Sequence, residues 1–174
     1  RADGAGYLSS GYQQLYLISA QGGTAAQLTE GPYNHGGPVS WATDGKAFYF
    51  SANRYENWQQ QPLNTEIFKF DLVDASLTQL TERSGPDNHP KVSPNGRYIA
   101  YTGFDDKRLS SQRNRLYVMD IDGSNIKPLS DDLDRSISGF AWKSNSRGLV
   151  ISYDEHGTGV LAEQTLRGLR KELA

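Results

Sequence analysis

The chain has 174 residues, a formal charge of −2 and no cysteine, which removes disulfides and thiolate metal sites and leaves no general attraction for nucleic acid or an anionic membrane surface. Apolar residues make up 36% and aromatics 11%, ten residues are Tyr, and 18 Gly and 7 Pro are spread along the chain, a balance that favours many short strands over long helices. No apolar run reaches the length of a transmembrane helix, so no membrane insertion is expected.

In chain order, the first recognisable unit is "LYLISAQGGTAAQLT" (15–29), two short alternating runs around a glycine turn. "SWATDGKAFYFSANRY" (40–55) follows: a strand, an Asp-Gly turn, then alternating aromatics. "IFKFDLVDASLTQLT" (67–81) repeats the first unit and "KVSPNGRYIAYTGFDD" (91–106) the second. "LYVMDIDGSNIKPLS" (116–130), "AWKSNSRGLVISYDEH" (141–156) and "LAEQTLRGLRKELA" (161–174) complete the series. Only this last segment has a composition that suits a helix; Gly168 in the hairpin slot favours two strands instead.

The repeat has a fixed frame. Gly45, Gly96 and Ser146 occupy one turn slot, 51 and 50 residues apart, with Trp41, Val92 and Trp142 four residues before it. Leu28, Leu80, Leu129 and Leu173 close the second strand pair at intervals of 52, 49 and 44 residues. Asp-Gly and Asn-Gly suit tight turns because both residues tolerate positive φ. Four antiparallel strands recurring at this period are the blade of a β-propeller. The expected fold is therefore all-β: a single partial propeller domain over 1–174, with complete four-stranded blades at 38–81, 89–130 and 139–174 and part of a fourth at 1–29. Four incomplete blades are marginal for closure, so the chain reads as a piece of a larger propeller. Its exposed blade edges are expected to promote self-association, or partial disorder at residues 1–14.

The strand pair "KVSPNGRYIAY" followed by "LYVMDIDGSN" resembles the TolB-like propeller repeat. Longer segments, "EGPYNHGGPVSWATDGKAFYFSANRYENW", "SGPDNHPKVSPNGRYIAYTGFDD" and "DDLDRSISGFAWKSNSRGLVISYDEHG", are similar to the N-terminal propeller of prolyl-oligopeptidase-family serine peptidases, especially the acylaminoacyl-peptidase and dipeptidyl-aminopeptidase-like members. That resemblance implies a noncatalytic propeller that caps an α/β-hydrolase domain and limits access to large substrates. The partners it implies are a peptide and that hydrolase domain. The chain contains no Gly-x-Ser-x-Gly nucleophile elbow, so no catalytic residue is assigned. The paired glutamates with which some members hold a substrate amino terminus are also missing. The alternative is a TolB-like protein-interaction propeller of the periplasm. The compartment, bacterial cytoplasm or periplasm, stays open.

Two connections are candidates for binding. The first, "SANRYENWQQQPLNTE" (51–66), carries Arg54, Tyr55, Glu56 and Trp58; Arg holds carboxylates and aromatics offer rigid contact area. The second, "GFDDKRLSSQRNR" (103–115), carries Asp105, Asp106 and Arg108. Both fall between the second and third strands of their blades, so both are expected at the same blade end, facing a partner. Ordered loop packing for the first and solvated charge for the second remain open. "DIDGSN" (120–125) partly matches a calcium loop, but the later acidic ligands are missing and a hairpin accounts for it; no metal and no cofactor is assigned. His35 and His89, in "YNHGGP" and "DNHP", precede the first strands of their blades and read as matching positions with a structural task, a hydrogen bond across a blade junction.

Overall fold

A computed structural model describes residues 11–173; the expectation about residues 1–14 lies largely outside that range. Among the described residues there is no helix. A short pair, β1 (Tyr16–Leu17) and β2 (Ala26–Gln27), precedes three four-stranded antiparallel sheets. The first contains β3 (Ser40–Trp41), β4 (Ala47–Ala52), β5 (Glu66–Asp71) and β6 (Leu77–Gln79). The second contains β7 (Asp87–Val92), β8 (Tyr98–Gly103), β9 (Arg115–Asp120) and β10 (Lys127–Pro128). The third contains β11 (Ile137–Trp142), β12 (Gly148–Glu155), β13 (Thr158–Thr165) and β14 (Arg170–Glu172). In each sheet the strands lie side by side in chain order, the meander of a propeller blade. The C-terminal segment is a strand pair turning at Gly168 (φ 87°).

The blades stack because their middle strands are apolar on both faces. In β4, Phe48 and Phe50 point toward the N-terminal pair, where they meet Phe68, Phe70, Leu15 and Leu28. Tyr49 points the other way, into a cluster with Ile67, Ile99, Tyr101, Tyr117 and Met119. Ala100, Leu116 and Val118 then face Leu149, Ile151 and Ala162 of the third blade. A period of two with both faces buried produces a nearly continuous apolar run such as "AFYF". Cross-strand pairs reinforce it: Phe48 stacks on Phe70 at 5.3 Å and Tyr101 on Tyr117 at 5.4 Å, each directly opposite in the register.

The turns are built alike. The side-chain oxygens of Asp44, Asn95 and Asn145 accept the N–H of Lys46, Arg97 and Arg147 at 3.0, 3.1 and 2.9 Å. The following residues, Gly45, Gly96 and Ser146, all have positive φ. Serine in that region is strained, and Ser146 has an offsetting bond: its Oγ accepts the N–H of Asn95 in the preceding blade at 3.0 Å.

A second set of bonds fastens the last two strands of each blade to one another and then reaches the next blade. Leu28, Leu80, Leu129 and Leu173 donate their N–H to the carbonyls of Leu15, Ile67, Leu116 and Leu161, each at 2.8 Å. The residue after the leucine then supplies a hydroxyl: Thr29, Thr81 and Ser130 accept the N–H of Leu15, Ile67 and Leu116, each at 2.9 Å. Finally His35, Asp87 and Ile137 donate their N–H to Gln13, Thr65 and Asn114 of the preceding blade. This corrects the pairing of His35 with His89: the structural counterpart of His35 is Asp87. Counted from the proline, His89 matches Gly37, and both have positive φ. His35 is buried, whereas His89 is exposed at the bulge of β7.

The first strand of each four-stranded sheet is an edge strand, and side chains link these edges from blade to blade. There Val92 donates its N–H to Ser40 Oγ at 2.9 Å, and Trp142 Nε1 donates to the Lys91 carbonyl at 2.7 Å. Thr81→Val removes a buried hydroxyl and strands the Ile67 N–H and Glu66 Oε2. In urea unfolding it is expected to cost about 1–3 kcal/mol, whereas the exposed Ser138→Ala stays within about 0.5 kcal/mol. Equal effects would contradict the role of the hydroxyl.

Candidate functional site

Two long connections, 53–65 and 104–114, join the second and third strands of their blades. The third blade makes the same connection with two residues, His156 and Gly157, both at positive φ. The long connections meet through the segment 81–87. Gly85 donates its N–H to Asn64 Oδ1 at 2.9 Å, and Asp106 donates its N–H to the Ser84 carbonyl at 2.7 Å. A Cβ on Gly85 would collide with the Phe104 carbonyl, and φ is 134°, so only glycine lets the segments approach this closely.

Under these loops lies a buried polar cluster centred on Glu66. Its Oε1 accepts the Tyr55 hydroxyl at 2.9 Å and the Arg83 N–H at 3.1 Å, and its Oε2 accepts the Thr81 hydroxyl at 2.6 Å. Arg83 pairs with buried Asp87, reaches Asp105 at 3.6 Å and lies 4.2 Å above the Tyr117 ring. Burial raises the Glu66 carboxyl, and it pushes Asp87 up to about 6 against the opposing pull of Arg83. Burial and then the Glu66 contact push Tyr55 up to about 12.

The junction before it uses different residues at the same places. His35 lies within hydrogen-bond reach of Gln14 Oε1 through Nδ1, at 2.9 Å, and of Arg54 through Nε2. A guanidinium only donates, so Nε2 accepts and the proton sits on Nδ1. Gln14 Oε1 also takes the Thr29 hydroxyl at 2.9 Å. Burial, then the Arg54 charge, lower the His35 pKa to about 4, in keeping with a neutral ring.

The sequence candidates therefore divide. Arg54 and Tyr55 turn inward; Arg54 sits 4.8 Å over the Tyr33 ring beside His35, and Tyr55 bonds to Glu66. Glu56 is exposed. Trp58 is half-buried, edge-on to Tyr12 at 6.3 Å, and lines an open cleft of about 480 Å³. Asp105 is exposed and joined to Arg83. Asp106 accepts the Arg108 N–H at 2.8 Å and Gln112 Nε2 at 2.7 Å, while Arg108 is exposed with φ 55°. Asp122 of the "DIDGSN" turn is engaged with Ser124, and Asp120 with Asn125. Sequence reasoning missed Glu66, Arg83, Asp87 and the cleft residues Asn34, Ser51 and Asn88.

Residues 5–105 match the family described as the dipeptidyl peptidase IV (DPP IV) N-terminal region. The chain belongs to that family. An uncharacterized protein of Agrobacterium fabrum is 27% identical over 87% of the chain, which covers 49% of that protein. Dipeptidyl-peptidase 5 of Trichophyton equinum is 26% identical over 75% of the chain and 19% of its own length. The chain thus spans about half or less of these relatives. Among solved structures, a TolB-family protein from Agrobacterium tumefaciens superposes with a TM-score of 0.68 at 19% identity, over 91% of this chain and 55% of that one. Puromycin hydrolase gives 0.67 at 20% identity, over 92% and 27%. These two likenesses bear on fold, and the chain is a β-propeller segment of the DPP IV N-terminal-region family.

The two junctions respond to pH with opposite signs. Unfolded chains take up a proton at a histidine near 6.5, whereas native His35 resists until about 4; its contribution is lost as pH falls through that window. Native Asp87 holds a proton to about 6 that the unfolded chain releases near 3.8, so its contribution falls as pH rises through that window. Relative to the parent, Asp87→Asn is expected to gain stability as pH rises from 4 to 6, and His35→Gln to gain it as pH falls from 6.5 to 4. Urea midpoints across that range check both; difference profiles with the same sign would contradict the assignment.

Proposed function

We propose that this segment is the noncatalytic gate of a serine peptidase, docked on an α/β-hydrolase domain outside this chain. The observation that carries it is the paired loop platform. Connections 53–65 and 104–114 emerge at one blade end, locked together through Asn64, Gly85 and Arg83. Family membership supplies the setting, and the curated relative named a dipeptidyl-peptidase supports the reaction class. Steric selection needs rigidity rather than reactive groups, and the buried Glu66 cluster provides it. Asp105 and Arg108, exposed on the second loop, are the residues proposed to face the hydrolase domain; Glu56 and Trp58 are those proposed to meet the peptide.

The test uses the full-length protein. Short peptides are expected to be cleaved and folded proteins spared. Replacing 104–114 with a two-residue turn is expected to loosen that discrimination at least tenfold while leaving dipeptide turnover within twofold. Absence of peptidase activity, or unchanged discrimination, would contradict the gate and favour a TolB-like interaction propeller.

The terminal blade bears on a second proposal, self-association of the isolated segment. Leu161 is 47% exposed, although its counterparts Ile67 and Leu116 are fully buried against the next blade. Sedimentation of the isolated segment is expected to show concentration-dependent association that Leu161→Lys weakens; a monomer at all concentrations would contradict it.

A further inference from the structure

The cleft beside Trp58 has a composition unlike the charged loops around it. It draws on two blades and the N-terminal pair: Gln13 before β1, Asn34 and Gly37 before β3, Ser51 of β4, Trp58 of the first long loop, and Asn88 and His89 of β7. No Asp, Glu, Lys or Arg lines it among the described residues. A charged ligand group entering it loses water and meets no counter-charge. We propose that this cleft binds an uncharged, extended peptide segment through its main-chain carbonyls. The proposal rests on the peptide-gate reading and adds to it a selection for chemistry as well as size.

The hydrogen-bond inventory sets the polarity of the ligand. Asn34 Oδ1 already accepts the Gln13 N–H at 2.9 Å, and Asn88 Oδ1 accepts the Thr65 hydroxyl at 3.0 Å. Each amide is thereby oriented, with its NH₂ group left to donate. Ser51 Oγ is enclosed and has no hydrogen-bond partner among the described residues. The cleft is thus rich in neutral donors, and peptide carbonyls are neutral acceptors at regular spacing. Trp58 adds a rigid apolar surface suited to proline or aliphatic side chains.

The wall is pre-organised. Asn53 spends its side chain inside the loop, with Nδ2 donating to the Gln61 carbonyl at 2.6 Å. Asn64 at the other end of the loop is pinned by Gly85. A volume of about 480 Å³ falls within the range of small-ligand sites. The cleft is bounded by the segment leading into β3 and by the start of β7.

The experiment is calorimetric titration of the full-length protein at pH 8 with three blocked peptides: Ac-Gly-Pro-Ala-Ala-NH₂ and the same peptide with Glu or Lys at the third position. The neutral peptide is expected to bind at least tenfold more tightly than either charged one. Trp58→Ala is expected to weaken it at least tenfold. Asn88→Asp keeps the shape, replaces a donor with a carboxylate, and is expected to turn the preference toward the lysine peptide. Ser51→Ala, a smaller change, is expected to weaken the neutral peptide a few fold. Equal binding of all three peptides, or unaltered binding in the Trp58 and Asn88 variants, would overturn the proposal. So would cellotetraose binding that those variants abolish while peptide binding persists. Loss of size discrimination with this titration intact would count against the gate alone; the reverse would count against the cleft alone.

Discussion

The structure depends on blades stacking face to face, with a backbone N–H crossing each seam beside a hydroxyl that ties off the end of the preceding blade. Apolar burial between sheets supplies most of the stabilisation, at roughly 25 cal/mol per Å² of surface removed from water. Burial alone is indifferent to sliding. Thr29, Thr81 and Ser130 each hold an N–H near the start of the preceding strand of their own sheet, and His35, Asp87 and Ile137 each donate back to the preceding blade. Those directional bonds set the position at which the apolar faces meet, because an unpaired backbone group in the seam is costly.

From that seam the rest of the site follows. Glu66 sits one residue before Ile67 and shares the Thr81 hydroxyl with it, so the seam carries a carboxylate into the interior. That carboxylate recruits Tyr55 from the first long loop, and its bond to the Arg83 N–H holds the segment bearing Arg83. Arg83 in turn engages Asp105 of the second loop. The loops are ordered because their inner residues complete a polar cluster that burial would otherwise penalise. The exposed Glu56 and Arg108 and the half-buried Trp58 have no place in the cluster.

Much of the fold was legible in the sequence because its devices repeat with the same chemistry. The Asp/Asn turn side chains, the positive-φ slot and the closing leucines use nearly the same residue types in each blade, so periodicity exposes them. The seam partners do not. His35 and Asp87 share a backbone bond while their side chains face different neighbours, Arg54 with Gln14 in one case and Arg83 in the other. Chemical likeness pointed to His89 instead, one residue before a proline rather than three. Arg54 and Tyr55 looked available because loops are usually solvated. Their inward turn depends on His35 and Glu66, which lie on other elements and carry no mark of burial in the sequence. The short connection at His156-Gly157 shows the same limit, since the repeat predicts that two strands are joined but not how much chain joins them.

Native-state hydrogen exchange at the seams tests the account most directly. The amides of Ile67, Leu80 and Asp87 are predicted to exchange together, with the denaturant dependence of global unfolding, as one cooperative step spanning two blades. Exchange of the Asp87 amide by a separate, denaturant-insensitive opening, with Ile67 and Leu80 still protected, would show that the seam is not what holds the blades in register.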